Sequence, residues 1–233
     1  MLTIRRVAAF SFLLVSACVY GQSNPLERPA ADFDSNRNSL TETLLVFSHQ
    51  EHLPIAIEYI DRTSMEQPIG VTLRNKTIRG ALDSILLHGD GYQWRLRNGI
   101  IEITNRRGSK HAEGVLNKVI PVFTISEGTT VKMASVMLWW NLQMELDPRL
   151  KKKGIAGDIP GNSPAVRPAI LRNRTVRDIL SYIVVHSHAE GWVVAGPPKC
   201  LGYTPYCGLW YFVEGETFNT SYQFVLRQVQ ENL

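Results

Sequence analysis

The chain has 233 residues, of which 44% are hydrophobic and 20% are charged. This composition excludes an intrinsically disordered chain and fits one large or two small domains. Removing residues 1–21 takes away two arginines and no acidic residue, so 23 basic and 21 acidic residues remain and the formal charge falls from +4 to +2. The sequence pI of 9.0 is therefore weak evidence for nucleic acid, and we predict no nucleic-acid partner.

The first 21 residues are predicted to be an export signal. Two arginines precede an apolar run at 7–15, and small residues follow it. That run is shorter than the roughly 18 residues needed to span a bilayer, so we expect no membrane span. Cleavage after Gly21 would give a soluble protein that begins at Gln22. Alternatively, Val15-Ser-Ala-Cys18 resembles a bacterial lipobox and would leave an acylated Cys18. The sequence slightly favours the soluble form. In both cases the expected location is periplasmic or exported.

Local signals then predict a helix and a strand. Ser39 and Glu42 form a capping-box pattern, and the apolar spacing that follows predicts a helix to about Gln50. A strand is predicted from Pro54 to Tyr59.

An internal repeat organises the rest of the chain. Residues 73–82 and 171–180 match at a constant offset of 98, with eight of ten positions identical or conservatively exchanged. Each segment predicts a polar turn followed by a helix that Thr77 or Thr175 would cap with its hydroxyl group. Beyond this segment the match is looser: Gly91-Tyr92 corresponds to Gly191-Trp192 after a two-residue drift, and each pair opens a predicted strand.

A hairpin follows the first of these helices. The segment 92–97 alternates apolar and polar residues, Asn98-Gly99 supplies the positive φ angles of a type I′ turn, and Ile101 and Ile103 continue the alternation. Residues 105–114 are polar and predict a linker, with a boundary near residue 110.

The second copy is predicted to open with a strand at 116–125, in which Pro121 suits an edge position. A helix is expected from about Val131 to Trp140, and a short strand at Met144-Glu145-Leu146. The tail, 216–233, contains a short amphipathic segment at 222–231.

Cys200 and Cys207 are predicted to form a disulfide, because they flank a loop with few apolar residues in an exported chain. A metal site, the alternative, lacks a second pair of ligands. His186 and His188 face apart at the end of a helix and predict no metal site. The sequence contains no Gly-x-Ser-x-Gly elbow, P-loop, dinucleotide fingerprint or His-Glu-x-x-His motif, so we predict no catalytic residue, no metal, no cofactor and no enzymatic activity.

Two features could serve an interaction surface. Adjacent tryptophans, Trp139 and Trp140, cannot share one helix face, so they fit either core packing or a partner site. A basic run fits either a solvated loop or an anion-binding surface: Lys151, Lys152 and Lys153, following Arg149.

The first module resembles the secretin and TonB N-terminal short domain (STN). The resemblance covers 31–105 and rests on Phe33-Asp34, the helix from Leu40, the strand at 55–57, the run 71–77 and the hairpin at 92–104. The second copy departs from the family at 147–168 and 196–207. Members of this family precede large membrane barrels, which this sequence lacks, so neither a channel nor a receptor is expected. The resemblance implies a periplasmic domain that binds other proteins through sheet edges or helix faces.

The sequence thus predicts an α+β fold of two tandem β-α-β-β-α-β modules, each with a small mixed sheet packed against two helices. The predicted modules are 22–110 and 111–215. The expected function is a non-enzymatic adaptor or scaffold whose partner is a periplasmic or envelope protein. The alternative is a protein that binds a small ligand or cell-wall glycan in the cleft between modules.

Overall fold

The computed structural model describes residues 24–60, 62–106, 114–146, 163–195 and 210–214. It confirms the α+β class. The helices are α1 (Leu40–Glu51), α2 (Arg62–Glu66), α3 (Ile78–Leu86), α4 (Val131–Leu146) and α5 (Val176–Val185). The strands are β1 (Phe33–Ser35), β2 (Ile55–Ile60), β3 (Val71–Leu73), β4 (Tyr92–Arg97), β5 (Ile100–Asn105), β6 (Val119–Ile125), β7 (Ala169–Thr175), β8 (Ala189–Ala195) and β9 (Trp210–Glu214).

Strands from both halves of the chain form one central sheet. Its order is β4-β5-β2-β8-β9, and β2 lies parallel to both β5 and β8. Two antiparallel ribbons, β1–β3 and β6–β7, lie outside this sheet. The sequence predicts a separate mixed sheet in each module, whereas the structure has one central sheet shared by both halves. The two halves are joined because β2 forms backbone hydrogen bonds with β5 of the first half and β8 of the second.

Two apolar cores lie on opposite faces of the central sheet. Along β2, Ile55 and Ile57 belong to the first core and Ala56 to the second. Successive side chains of a strand point to opposite faces, so a strand buried on both faces is apolar at consecutive positions. Helices α1 and α3 supply the first core, whereas α4 and α5 supply the second.

The local signals of the first half are present in the structure. The Ser39 hydroxyl accepts from the backbone N–H of Glu42 at 3.3 Å, and the Glu42 carboxylate accepts from the Ser39 N–H at 2.7 Å. The helix ends at Glu51, followed by His52 in the left-handed conformation. Helix α2 was not predicted. Asn98 and Gly99 have φ angles of 52° and 81°, as a two-residue type I′ turn requires.

The predicted strand at 144–146 is wrong, because these residues form the last turn of α4. Buried residues recur at helical spacing along the whole of this helix: Val131, Ala134, Leu138 and Leu142. No glycine or proline interrupts the run, and Met, Glu and Leu are good helix formers. The strand expected at 116–125 is β6, and Pro121 lies in a two-stranded ribbon, where a missing N–H is tolerated.

Candidate interaction surfaces

The two repeated helices begin in the same way. The side-chain oxygens of Thr77 and Thr175 accept from the backbone N–H groups of Gly80 and Asp178, at 3.2 and 3.1 Å. Two residues before each threonine stands an asparagine with a φ angle near +50°, a conformation that asparagine tolerates better than most residues. Such a cap stabilises a helix by about 1 kcal/mol.

The backbone contacts around these caps also recur. The N–H of Ile78 donates to the Arg28 carbonyl at 3.1 Å, and that of Val176 donates to the Lys118 carbonyl at 2.9 Å. In the ribbons, Phe33 pairs with Leu73 and Phe123 pairs with Leu171. The ribbon β6–β7 is thus the counterpart of β1–β3, with an offset of 90 for the first strand and 98 for the second.

The offset of 98 continues into the strands after the helices. The indole N–H of Trp94 donates to Asp83 at 2.7 Å, and that of Trp192 donates to Ser181 at 3.4 Å. The two-residue drift that matched Gly91-Tyr92 to Gly191-Trp192 is therefore not what the structure shows. The signal that would have found the correct register is the pair of tryptophans, which are themselves 98 residues apart.

The tryptophan pair of α4 is half-buried. The ring centroids of Trp139 and Trp140 lie 6.1 Å apart at an interplanar angle of 40°, and Trp139 packs against the second core. The other predicted surface and cysteine residues lie outside the described residues: Cys18, Lys151, Lys152, Lys153, Cys200 and Cys207.

Buried charges connect the two halves across the central sheet. Arg177, at the start of α5, donates to both carboxylate oxygens of Glu58 on β2, at 2.6 and 3.0 Å. Both side chains are 9% exposed. Each of these buried charges stabilises the other, because burying a charge without a partner costs free energy of folding.

The same face of the sheet carries two more arginines. Arg95 donates to Glu102 at 2.6 Å, and Arg97 donates to Asp178 at 2.5 Å. The hydrogen bond to Glu102 raises the pKa of Arg95 above its usual value, so the guanidinium stays charged at any accessible pH. The contact between Arg97 and Asp178 also joins the two halves. In this pair the arginine lies on a strand of the first half and the aspartate at the start of a helix of the second half.

A cleft of about 300 Å³ opens where the hairpin turn approaches α5. Asn98 contributes from the first half, and the second half contributes Arg174, Asp178, Tyr182 and His186. The rings of Tyr182 and His186 have their centroids 4.1 Å apart. The two rings are inclined at 38° to each other, so the cleft combines a close, tilted aromatic pair with polar groups.

Among the described residues, no cluster of His, Cys, Asp or Glu has the composition to hold a metal ion. In the same part of the chain, no helix is long and apolar enough to cross a membrane. Comparisons with protein-family models, with curated proteins and with solved structures each found no match.

Proposed function

We propose that this protein is an exported, non-enzymatic adaptor of the bacterial periplasm, built from STN-like modules, and that it binds a partner protein at the outer edge of β4. The N-terminal segment supports export. The observation that carries the proposal is the different environment of two equivalent strands, β4 and β8.

Strand β8 has a neighbour on the side where β4 has none among the described residues. β8 pairs with β2 in parallel, and Trp192 on β8 is completely buried in the second core. The equivalent Trp94 is only partly buried, and nearby Leu96 is 41% exposed. An outer strand presents unpaired backbone groups to which a partner strand can add.

The backbone geometry of the hairpin shows which groups would bind. Because the turn has two residues, Arg97 and Ile100 form the hydrogen-bonded pair next to it. Paired and outward-facing residues alternate along β4, so Leu96 and Trp94, one and three positions before Arg97, both direct their N–H and C=O groups away from β5. The partner would therefore hydrogen-bond to Leu96 and Trp94.

A Leu96→Pro variant is expected to lose the partner, since proline removes the outward N–H without removing a donor to β5. The full chain, tagged and expressed in a bacterium, would be crosslinked in the periplasmic extract, and the crosslinked proteins would be identified by mass spectrometry. A Leu96→Thr control keeps the N–H and changes the side chain, so it should retain the crosslink.

Two outcomes would contradict the proposal. One is a chain that remains in the cytoplasmic fraction. The other is a periplasmic chain whose crosslinked proteins are the same in wild type and Leu96→Pro, with both variants melting within a few degrees of each other.

A second candidate function rests on the cleft beside α5. The adjacent rings of Tyr182 and His186 offer an aromatic surface for a sugar ring, and Asn98 and Arg174 offer hydrogen-bond donors. This arrangement fits a small glycan held between the two halves.

The second candidate predicts that peptidoglycan fragments raise the Tm of the wild-type protein. A ligand at 100 times its Kd stabilises a protein by about 2.7 kcal/mol. Tyr182→Ala should abolish the shift, whereas Tyr182→Phe keeps the ring and should preserve it. An unchanged Tm across the panel would remove this candidate.

A further inference from the structure

The outer faces of the two ribbons differ in chemistry although their backbones correspond. Pairing places Asp34 opposite Thr72 in the first ribbon and Thr124 opposite Ile170 in the second. The next pair on the same face of the second ribbon, two residues along each strand, is Val122 opposite Arg172. We call Val122, Thr124, Ile170 and Arg172 the outer ribbon face. Their counterparts in the first ribbon are Asp32, Asp34, Thr72 and Arg74.

In the first ribbon, the guanidinium group of Arg74 has its partners within or next to the ribbon itself. Arg74 lies 3.6 Å from Asp32 and 3.9 Å from Asp34, and it donates to the carbonyl oxygens of Phe33 and Leu73 at 2.9 Å. This face is polar, and its positive charge has two carboxylates beside it.

The outer ribbon face has an arginine, Arg172, at the position of Arg74, but it lacks the two carboxylates that lie beside Arg74. Val122 stands at the position of Asp32, and Thr124 at that of Asp34. The side chains of Val122 and Ile170 are 46% and 60% exposed. Within the described part of the chain, Arg172 forms no ion pair. Exposed aliphatic residues next to a cation without an acidic partner are typical of an interaction site.

We propose that the outer ribbon face binds an extended protein segment that carries a carboxylate next to aliphatic side chains. The carboxylate takes the place that Asp32 and Asp34 hold beside Arg74, and the aliphatic side chains cover Val122 and Ile170. Guanidinium groups bind carboxylates in a defined geometry, which sets the register of the segment. This surface lies on β6–β7 and is separate from the β4 edge.

The composition of the face favours a protein segment over a lipid surface. Anionic membranes attract clusters of several basic residues, and interfacial segments carry Trp, Phe or Leu. The outer ribbon face has one arginine and two β-branched aliphatic residues, and the next arginine along β7, Arg174, lines the cleft beside α5. A short complementary strand matches these three side chains.

The test uses a labelled peptide of alternating glutamate and valine, measured by fluorescence anisotropy with the full mature chain. Wild type is expected to bind it, and Arg172→Glu to bind it at least tenfold more weakly. A peptide of alternating lysine and valine should show the opposite order, binding Arg172→Glu better than wild type. Ile170→Thr, which installs the residue of the first ribbon, should also weaken binding of the glutamate peptide.

Lys132→Glu is the matched control, because it makes the same charge change at an exposed position on α4. It should leave the affinity within twofold of wild type. The proposal is overturned if Lys132→Glu weakens binding as much as Arg172→Glu, if neither peptide binds, or if wild type ignores the peptides and instead sediments with phosphatidylglycerol vesicles. Leu96→Pro should bind the peptide as wild type does, so failure at the β4 edge and failure at this face are distinguishable.

Discussion

A Gly191→Ala variant is expected to lose at least about 2 kcal/mol of its free energy of unfolding. A Cβ atom at this position would lie 2.3 Å from the backbone oxygen of Ile55 and 2.8 Å from its side chain. The first of these neighbours is backbone, so β8 would have to move away from β2. Overpacking of a tight core costs about 1–3 kcal/mol, and here it also opens the strand pair that joins the two halves.

Chemical denaturation followed by circular dichroism measures this loss. Gly70→Ala is the matched control, because no atom lies within 4 Å of the added Cβ and the residue is exposed. Its free energy of unfolding should change by no more than about 0.5 kcal/mol. Equal stability of the two variants would mean that β2 and β8 do not pair as closely as described.

The second large effect is expected at the buried ion pair. Arg177→Met should destabilise the fold by about 3 kcal/mol, because the Glu58 carboxylate would lose both hydrogen bonds from Arg177 in a site where it is 9% exposed. Removing one partner of a buried pair costs more than the pair itself contributes, since the remaining group loses its hydrogen bonds and does not regain full contact with water. Arg95, whose nearest nitrogen lies 4.0 Å from Glu58, recovers only part of the loss.

The double variant Glu58→Met, Arg177→Met is the informative comparison. It leaves no unpaired charge at this point, so we expect it to be more stable than Arg177→Met alone. Free energies of unfolding for wild type, both single variants and the double variant give the coupling energy. If the double variant loses the sum of the two single losses, the two side chains act independently and the pair does not connect the halves.

Short-range signals in the sequence predicted much of the fold. The capping residues Ser39, Thr77 and Thr175 act on N–H groups within three positions of themselves, and Asn98-Gly99 determines its own turn. Such features depend on a few neighbouring residues, so a single sequence is enough to find them. The sequence pattern predicts α4 too short, because its last turn, 144–146, also has the apolar-polar-apolar alternation of a strand.

Contacts between distant residues were not predicted. Arg177 and Glu58 are 119 positions apart, and the pairing of β2 with β8 joins segments separated by more than 120 residues. In the sequence, Glu58 is merely a charged residue after three apolar ones, and Gly191 resembles any turn glycine. Its actual role, close approach of two strands, becomes visible only when Ile55 is placed beside it.

The position of β2 within the central sheet has a consequence for biosynthesis. A ribosome completes β2 long before β8 and β9, so the side of β2 that will receive β8 stays bare until about residue 195 has been made. Bare strands invite pairing with other nascent chains. A chain truncated between the two repeats would therefore be prone to aggregate, and folding of this protein should depend on chaperones more than folding of a chain whose repeats close independently.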